Sequence, residues 1–190
     1  MKKIIAMLLV VVMAVAVFAA CGGNETAGNG DNAATSVSAI DALNTIWGKY
    51  EDADKLFPVM GGDGEDMTMD APGKIDELEN LQYIMYVPAE EIINVSEAAT
   101  MQHAMNANTF SCGAVKLAEG VDLQTFATTM KDALLNNQWM CGFPEKLVIA
   151  SVGADCVVIA FGVNDAMNPF QEKLTSVYPE AVIAYDEAVA

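Results

Sequence analysis

"KLVIASVGADCVVIAFG", residues Lys146 to Gly162, holds two apolar runs that meet at Gly153-Ala154. Valine and isoleucine dominate both runs, and each is too short for an ordinary helix. A glycine break joins them, so the pattern predicts a β-hairpin with strands Lys146–Val152 and Asp155–Gly162. Upstream, Phe110 to Leu117 reads as a further strand. Asp122 then caps a helix that reaches Asn137, with Val121 and Phe126 at the spacing of a hydrophobic staple. Phe126, Met130 and Leu134 form its buried stripe. Downstream, Asn168 is expected to cap another helix with Pro169 at its first position, where a missing N–H is harmless. Phe170, Leu174 and Val177 lie on one face of that helix, and Pro179 opens a last segment read as helical. The order strand, helix, strand, strand, helix predicts a single α+β domain: a small antiparallel or mixed sheet with helices packed on one face.

Toward the amino terminus the signals weaken. Ser38 and Asp41 stand at capping-box spacing, with Asp in place of the usual Glu. Ile40, Leu43, Trp47 and Tyr50 recur at intervals of three and four, which predicts a helix that ends by Phe57-Pro58. Val59 to Gly73, "VMGGDGEDMTMDAPG", is dense in breakers and reads as a loop. Leu81, Tyr83, Met85 and Val87 alternate with Gln82, Ile84 and Tyr86, a pattern open to strand or helix. Pro88 is expected to open a helical stretch toward Met105. No internal repeat is present, and residues 36–190 have the size of one domain with a full core.

The first 35 residues speak to location. Met1, Lys2 and Lys3 precede an uninterrupted apolar run, Ile4 to Ala20. As a helix this run reaches about 25 Å, short of a comfortable bilayer crossing. A charged start, an apolar segment and small residues describe a secretory signal. Here Ala19 and Ala20 stand directly ahead of Cys21, which resembles the lipobox of bacterial lipoproteins, with Phe18 where leucine is usual. The resemblance implies cleavage before Cys21, diacylglycerol on its thiol and an extracytoplasmic protein held at the cell membrane. Residues 1–20 are then the signal. Residues 21–35, built from Gly, Asn, Ala, Thr and acids, are a disordered tether.

Charge agrees with an anchor of this kind. The chain has nine basic residues, all lysine, against 26 acids, a formal net charge of −17. Such a protein is repelled by anionic headgroups and needs hydrophobic anchoring to stay at a membrane. Two acyl chains supply that. The absence of arginine and of any basic patch excludes nucleic acid as a partner.

The stretch "NTFSCGAVKLAEGVDLQTFATTMKDALLNNQW", residues Asn108 to Trp139, followed by the hairpin resembles the small bacterial lipoproteins built on domain of unknown function 4358. Those proteins join a lipobox and acidic tether to a strand running into a lysine (here Lys116), a helix ending near a tryptophan (here Trp139) and a glycine-turn hairpin. The family is uncharacterised, so the resemblance implies a fold and an address, and brings no catalytic residues or cofactor.

Chemistry is sparse in the sequence. His103 is the only histidine, expected on a helix, and no GxSxG, SxxK or HExxH motif accompanies it. Beyond Cys21, the cysteines are Cys112, Cys141 and Cys156, with no CxxC pair. Cys112 and Cys141 would close a loop of about 30 residues, and a disulfide there would contribute about 3–4 kcal/mol. Reduced, buried thiols are the alternative. The loop "MGGDGEDMTMD" gathers Asp63, Glu65, Asp66 and Asp70, hard oxygens suited to calcium, with Met60, Met67 and Met69, soft thioethers suited to Cu(I). Its spacing does not fit an EF-hand, and a mobile acidic loop is the simpler expectation. Two function classes follow. One is a non-catalytic module that binds a protein or a small envelope ligand and uses no cofactor. The other is an envelope enzyme working through carboxylates alone, with metal capture by the Met and acid loop as a minor variant.

Overall fold

The computed structural model describes residues 35–189. The signal, Cys21 and most of the tether lie outside the described residues. The order of elements is α1 (Ala39–Trp47), β1 (Val59–Gly61), β2 (Thr68–Met69), β3 (Gly73–Lys74), α2 (Leu81–Ile84), β4 (Val95–His103), β5 (Phe110–Leu117), α3 (Leu123–Leu135), β6 (Lys146–Val152), β7 (Cys156–Gly162), α4 (Asn164–Val177) and β8 (Val182–Ala188). The strands form one eight-stranded open sheet, ordered β2-β1-β4-β5-β7-β6-β8, with β3 pairing to β4 beside β1. Every pairing is antiparallel.

The opening stretch explains the layering. Neither β6 nor β7 has a polar side, because both of its faces are buried. Val148, Ala150, Val158 and Ala160 face one core with Leu43 and Ile46 of α1 and Phe170 and Leu174 of α4. Leu147, Ile149, Val157, Ile159 and Phe161 face a second core with Phe126, Met130 and Leu134 of α3, Leu81 of α2 and Met85 just beyond it. Helices therefore cover both faces of the sheet, not one, and an antiparallel sheet clothed on both sides needs continuous apolar strands.

Local signals place several boundaries. The strand Phe110–Leu117 is formed over the expected residues, and the hairpin is in register from Lys146↔Gly162 to Val152↔Cys156. Asp122 caps α3, its Oδ1 accepting from the Thr125 N–H at 2.7 Å. Ser38 Oγ accepts from Asp41 N–H at 3.2 Å and starts α1. That helix ends at Trp47, so Tyr50 lies beyond it.

Four expectations are corrected. The stretch after Pro88 forms a short 3₁₀ turn, Ala89–Asn94, and then strand β4 rather than a helix toward Met105. Alanines there suit a helix locally, but Ala98 and Ala99 lie in the sheet interior on opposite faces, and the small Ala99 side chain lets α1 approach the strand. The segment after Pro179 is strand β8, recruited by the free edge of β6. Helix α4 starts at Asn164, and Pro169 sits inside it. Its start is set by a residue distant in sequence: Glu145 Oε2 accepts from Asn164 N–H at 2.8 Å. The predicted loop 59–73 holds the short strands β1 and β2 and the first residue of β3. A side chain on Gly61 would collide with the backbone of Gly73, so this close crossing requires glycine.

Candidate interaction surfaces

Two loops meet at one end of the sheet. Residues 104–109 join β4 to β5, and residues 138–145 lead into β6. Asparagine side chains bind them together. Asn106 Nδ2 donates to Cys141 O at 2.9 Å, and Asn108 Nδ2 donates to Met140 O at 2.7 Å and Gly142 O at 3.0 Å. Asn108 is buried, so its two bonds are shielded from competing water, whereas the Asn106 bond is exposed.

His103 belongs to this framework. It stands at the end of β4, not on a helix, and its Nδ1 accepts from Met105 N–H at 2.9 Å and Asn106 N–H at 3.1 Å. With Nδ1 occupied as an acceptor, its ring packs 4.4 Å from that of Phe57. The only histidine thus shapes the turn that carries Met105.

On this frame stand three exposed apolar side chains: Met105 at 86%, Met140 at 79% and Phe143 at 69% exposure. Below them lies Trp139, 8% exposed, with ring centroids 5.2 Å from those of both Tyr86 and Phe161. Among the described residues its buried indole N–H meets no acceptor, which costs about 1–3 kcal/mol unless relieved. Tyr86 and Cys141 adopt left-handed backbone, φ 57° and 62°. Strain, an unmet donor and exposed apolar groups coincide, the association expected where a fold is shaped for contact.

A second surface lies beside the 3₁₀ turns at residues 78–80 and 89–94. The groove there measures about 580 Å³ and is lined by Asp76, Glu77, Leu78, Glu79, Gln82, Ala89, Ile92 and Ile93. Its scaffold includes Asp63, from the acidic loop that the sequence offered as a metal site. Asp63 is 6% exposed, and its carboxylate accepts from Asp76 N–H at 2.7 Å, Glu77 N–H at 3.3 Å and Asn80 Nδ2 at 2.7 Å. Burial pushes its pKa up, but these hydrogen bonds outweigh that and hold it below the usual value. The other loop groups go elsewhere. Asp70 is exposed with its carbonyl taken by the Trp47 indole, Met60 pairs with Met69 across β1 and β2, and Met67 is exposed. Among the described residues, no three His, Cys, Asp or Glu side chains gather to hold a metal ion. An apolar cleft between Trp47, Phe57 and Pro169 has only about 20 Å³, room for one water.

The cysteines fall apart. Cys112, Cys141 and Cys156 are all free, so the bridge weighed between Cys112 and Cys141 is not formed. Cys112 is buried under α1, whereas Cys141 is exposed in the loop. Burial raises the Cys112 pKa well above normal. Cys156 is pushed up to about 12, by burial first and the nearby Asp155 carboxylate second. Lys116 sits 3.6 Å from Asp155, a link across the hairpin end. Cys21, the lipidation candidate, lies outside the described residues.

The chain matches no protein-family model, no curated protein and no solved structure.

Proposed function

We propose that this protein is a non-catalytic interaction module, anchored through lipid on Cys21 at the extracytoplasmic face of the cell membrane, that binds a partner through Met105, Met140 and Phe143. The observation that carries this reading is the asparagine-bound frame beneath three exposed apolar side chains. Exposed apolar groups on fixed loops lose little entropy on binding, so most of their contact energy appears as affinity. Methionine adapts its shape to a partner, and aromatic residues such as phenylalanine concentrate at contact sites. The anchor rests on Ala19-Ala20-Cys21 behind a short apolar run.

The fold gives this surface a direction. Ala154 N–H donates to Thr35 O at 3.2 Å, and Ser36 Oγ donates to Asp155 Oδ2 at 2.8 Å. The chain thus enters the domain at the β6–β7 turn, and Met105, Met140 and Phe143 lie at the opposite end of those strands. Seven residues of strand separate the two ends by about 20 Å.

The test is the double variant Met140→Ser, Phe143→Ser in the full-length lipidated protein. Both side chains are exposed, so the thermal midpoint should stay unchanged while co-purification of the partner falls by about tenfold or more. Unchanged capture would remove this surface from the function. Turnover of an envelope substrate, abolished by replacing one acid, would replace the binding module with an enzyme.

A further inference from the structure

The groove beside the 3₁₀ turns presents a combination absent from the loop surface above: an apolar floor with a one-sign rim. Ile92, Ala89 and Leu78 line it, and Ile93 stands 84% exposed at its mouth. Asp76, Glu77 and Glu79 supply the rim, and their carboxylates make no hydrogen bond or ion pair among the described residues.

Other acids, among them Asp41, Glu90 and Asp165, are also unpaired among the described residues; what marks this place is that three such carboxylates line one groove with an apolar floor. Away from the groove, Asp52, Asp54, Asp132, Asp155 and Asp186 pair with lysines, and Glu97 and Glu145 accept from the first N–H groups of α1 and α4. Five of the seven lysines between residues 35 and 189 are spent in those pairs, and none lines the groove. The segment bearing the three carboxylates is nevertheless held firmly, because Asp63 grips its backbone from below. On the far wall, Glu91 Oε2 accepts from Asn94 Nδ2 at 2.8 Å and Glu91 N–H donates to Pro88 O at 2.9 Å, which fixes the second turn. The fold holds like charges side by side, and their mutual repulsion is relieved when a cation arrives.

We propose that this groove is a docking site for a basic amphipathic polypeptide segment of an envelope partner, with lysine or arginine on Asp76, Glu77 and Glu79 and an apolar side chain over Ile92 and Ile93. Charge complementarity selects this occupant. A second copy, with a net charge of −17, would bring carboxylates against carboxylates. An anionic bilayer surface is repelled for the same reason. A simple polycation would satisfy the rim and leave Ile93 uncovered. The groove volume falls in the range of ordinary ligand sites and is open enough to admit a chain segment. The site is independent of Met105, Met140 and Phe143, and either surface can fail without the other.

The experiment uses the full-length lipidated protein in non-ionic micelles and three synthetic peptides of equal length: one alternating leucine with lysine, one of lysine and serine, and one alternating leucine with glutamate. Binding is read by calorimetry, with the triple variant D76N/E77Q/E79Q in the same micelles as background. Those changes leave the backbone N–H groups that bind Asp63 intact, and the circular dichroism melt checks the fold. The leucine–lysine peptide is expected to bind, to weaken as salt rises, and to lose about tenfold or more in the triple variant and in Ile93→Ser. The leucine–glutamate peptide is expected not to bind. Equal binding of the lysine–serine peptide would reduce the groove to a diffuse acidic surface and overturn the proposal. So would binding that survives both sets of substitutions, or no binding of the leucine–lysine peptide at all.

Discussion

Asp63 shows how a single residue can mislead a reading by composition. In sequence it is one of four acids in a loop suited to a cation; in the fold it is buried and satisfied by two backbone N–H groups and Asn80. Asp63→Asn should destabilise by about 1–3 kcal/mol in urea titration, because an amide cannot accept all three bonds. The pH dependence has a definite sign. The folded pKa lies below 3.8, so the stabilisation is complete above the unfolded value and disappears as pH falls through the folded one. The gap between wild type and Asp63→Asn should therefore close on acidification, and a gap that widens would contradict the clamp. The thiols give a second check at this scale. A thiol reagent should modify Cys141 in the native protein, and reach Cys112 and Cys156 only after unfolding, because burial holds both protonated. In the core, Phe126 is 1% exposed, and Phe126→Ala should cost about 3–5 kcal/mol.

Elements were legible where their signals are local. The strand β5, the β6–β7 hairpin and helix α3 are set by an apolar run, a glycine turn and an aspartate cap, all contiguous in sequence. Gly153 has φ 65°, and a side chain there would collide with the Thr35 carbonyl. Gly153→Ala should lose at least about 1–2 kcal/mol of stability and release Thr35 from the hairpin, seen as faster amide exchange at Ala154. The misread elements answer to distant partners. β8 is a strand because β6 offers an edge, and β4 is a strand because its alanines fit between packed layers. α4 begins early because Glu145 caps it from another loop, and Glu145→Ala should cost about 0.5–2 kcal/mol in the same titration. The interaction surfaces were hidden for a related reason. Met105, Met140 and Phe143 look like core residues in a sequence, and only the fold shows them exposed on two loops joined by asparagine bonds. Asp76, Glu77 and Glu79 are three acids among 26, and only the fold shows that they share a groove with Ile92 and Ile93.

At the scale of the whole molecule, charge and layering set the behaviour. Helices on both faces of the sheet bury two cores, so exposed apolar groups gather at loops rather than on an open sheet face. The formal charge of −17 opposes compaction, and the five lysine pairs are partly exposed and weak. Raising salt from low to physiological strength should therefore raise the thermal midpoint; a fall would mean that the ion pairs outweigh the net repulsion. The proposed function places the partner at the loop end remote from Thr35. The most direct measurement is photo-crosslinking in cells, with a photoreactive residue placed in turn at Met105, Met140 and Phe143, and at Glu119 by the opposite end as the control. One discrete adduct shared by the first three positions and absent at Glu119 is the expected result. An adduct at Glu119 with none at Met105, Met140 or Phe143 would contradict it.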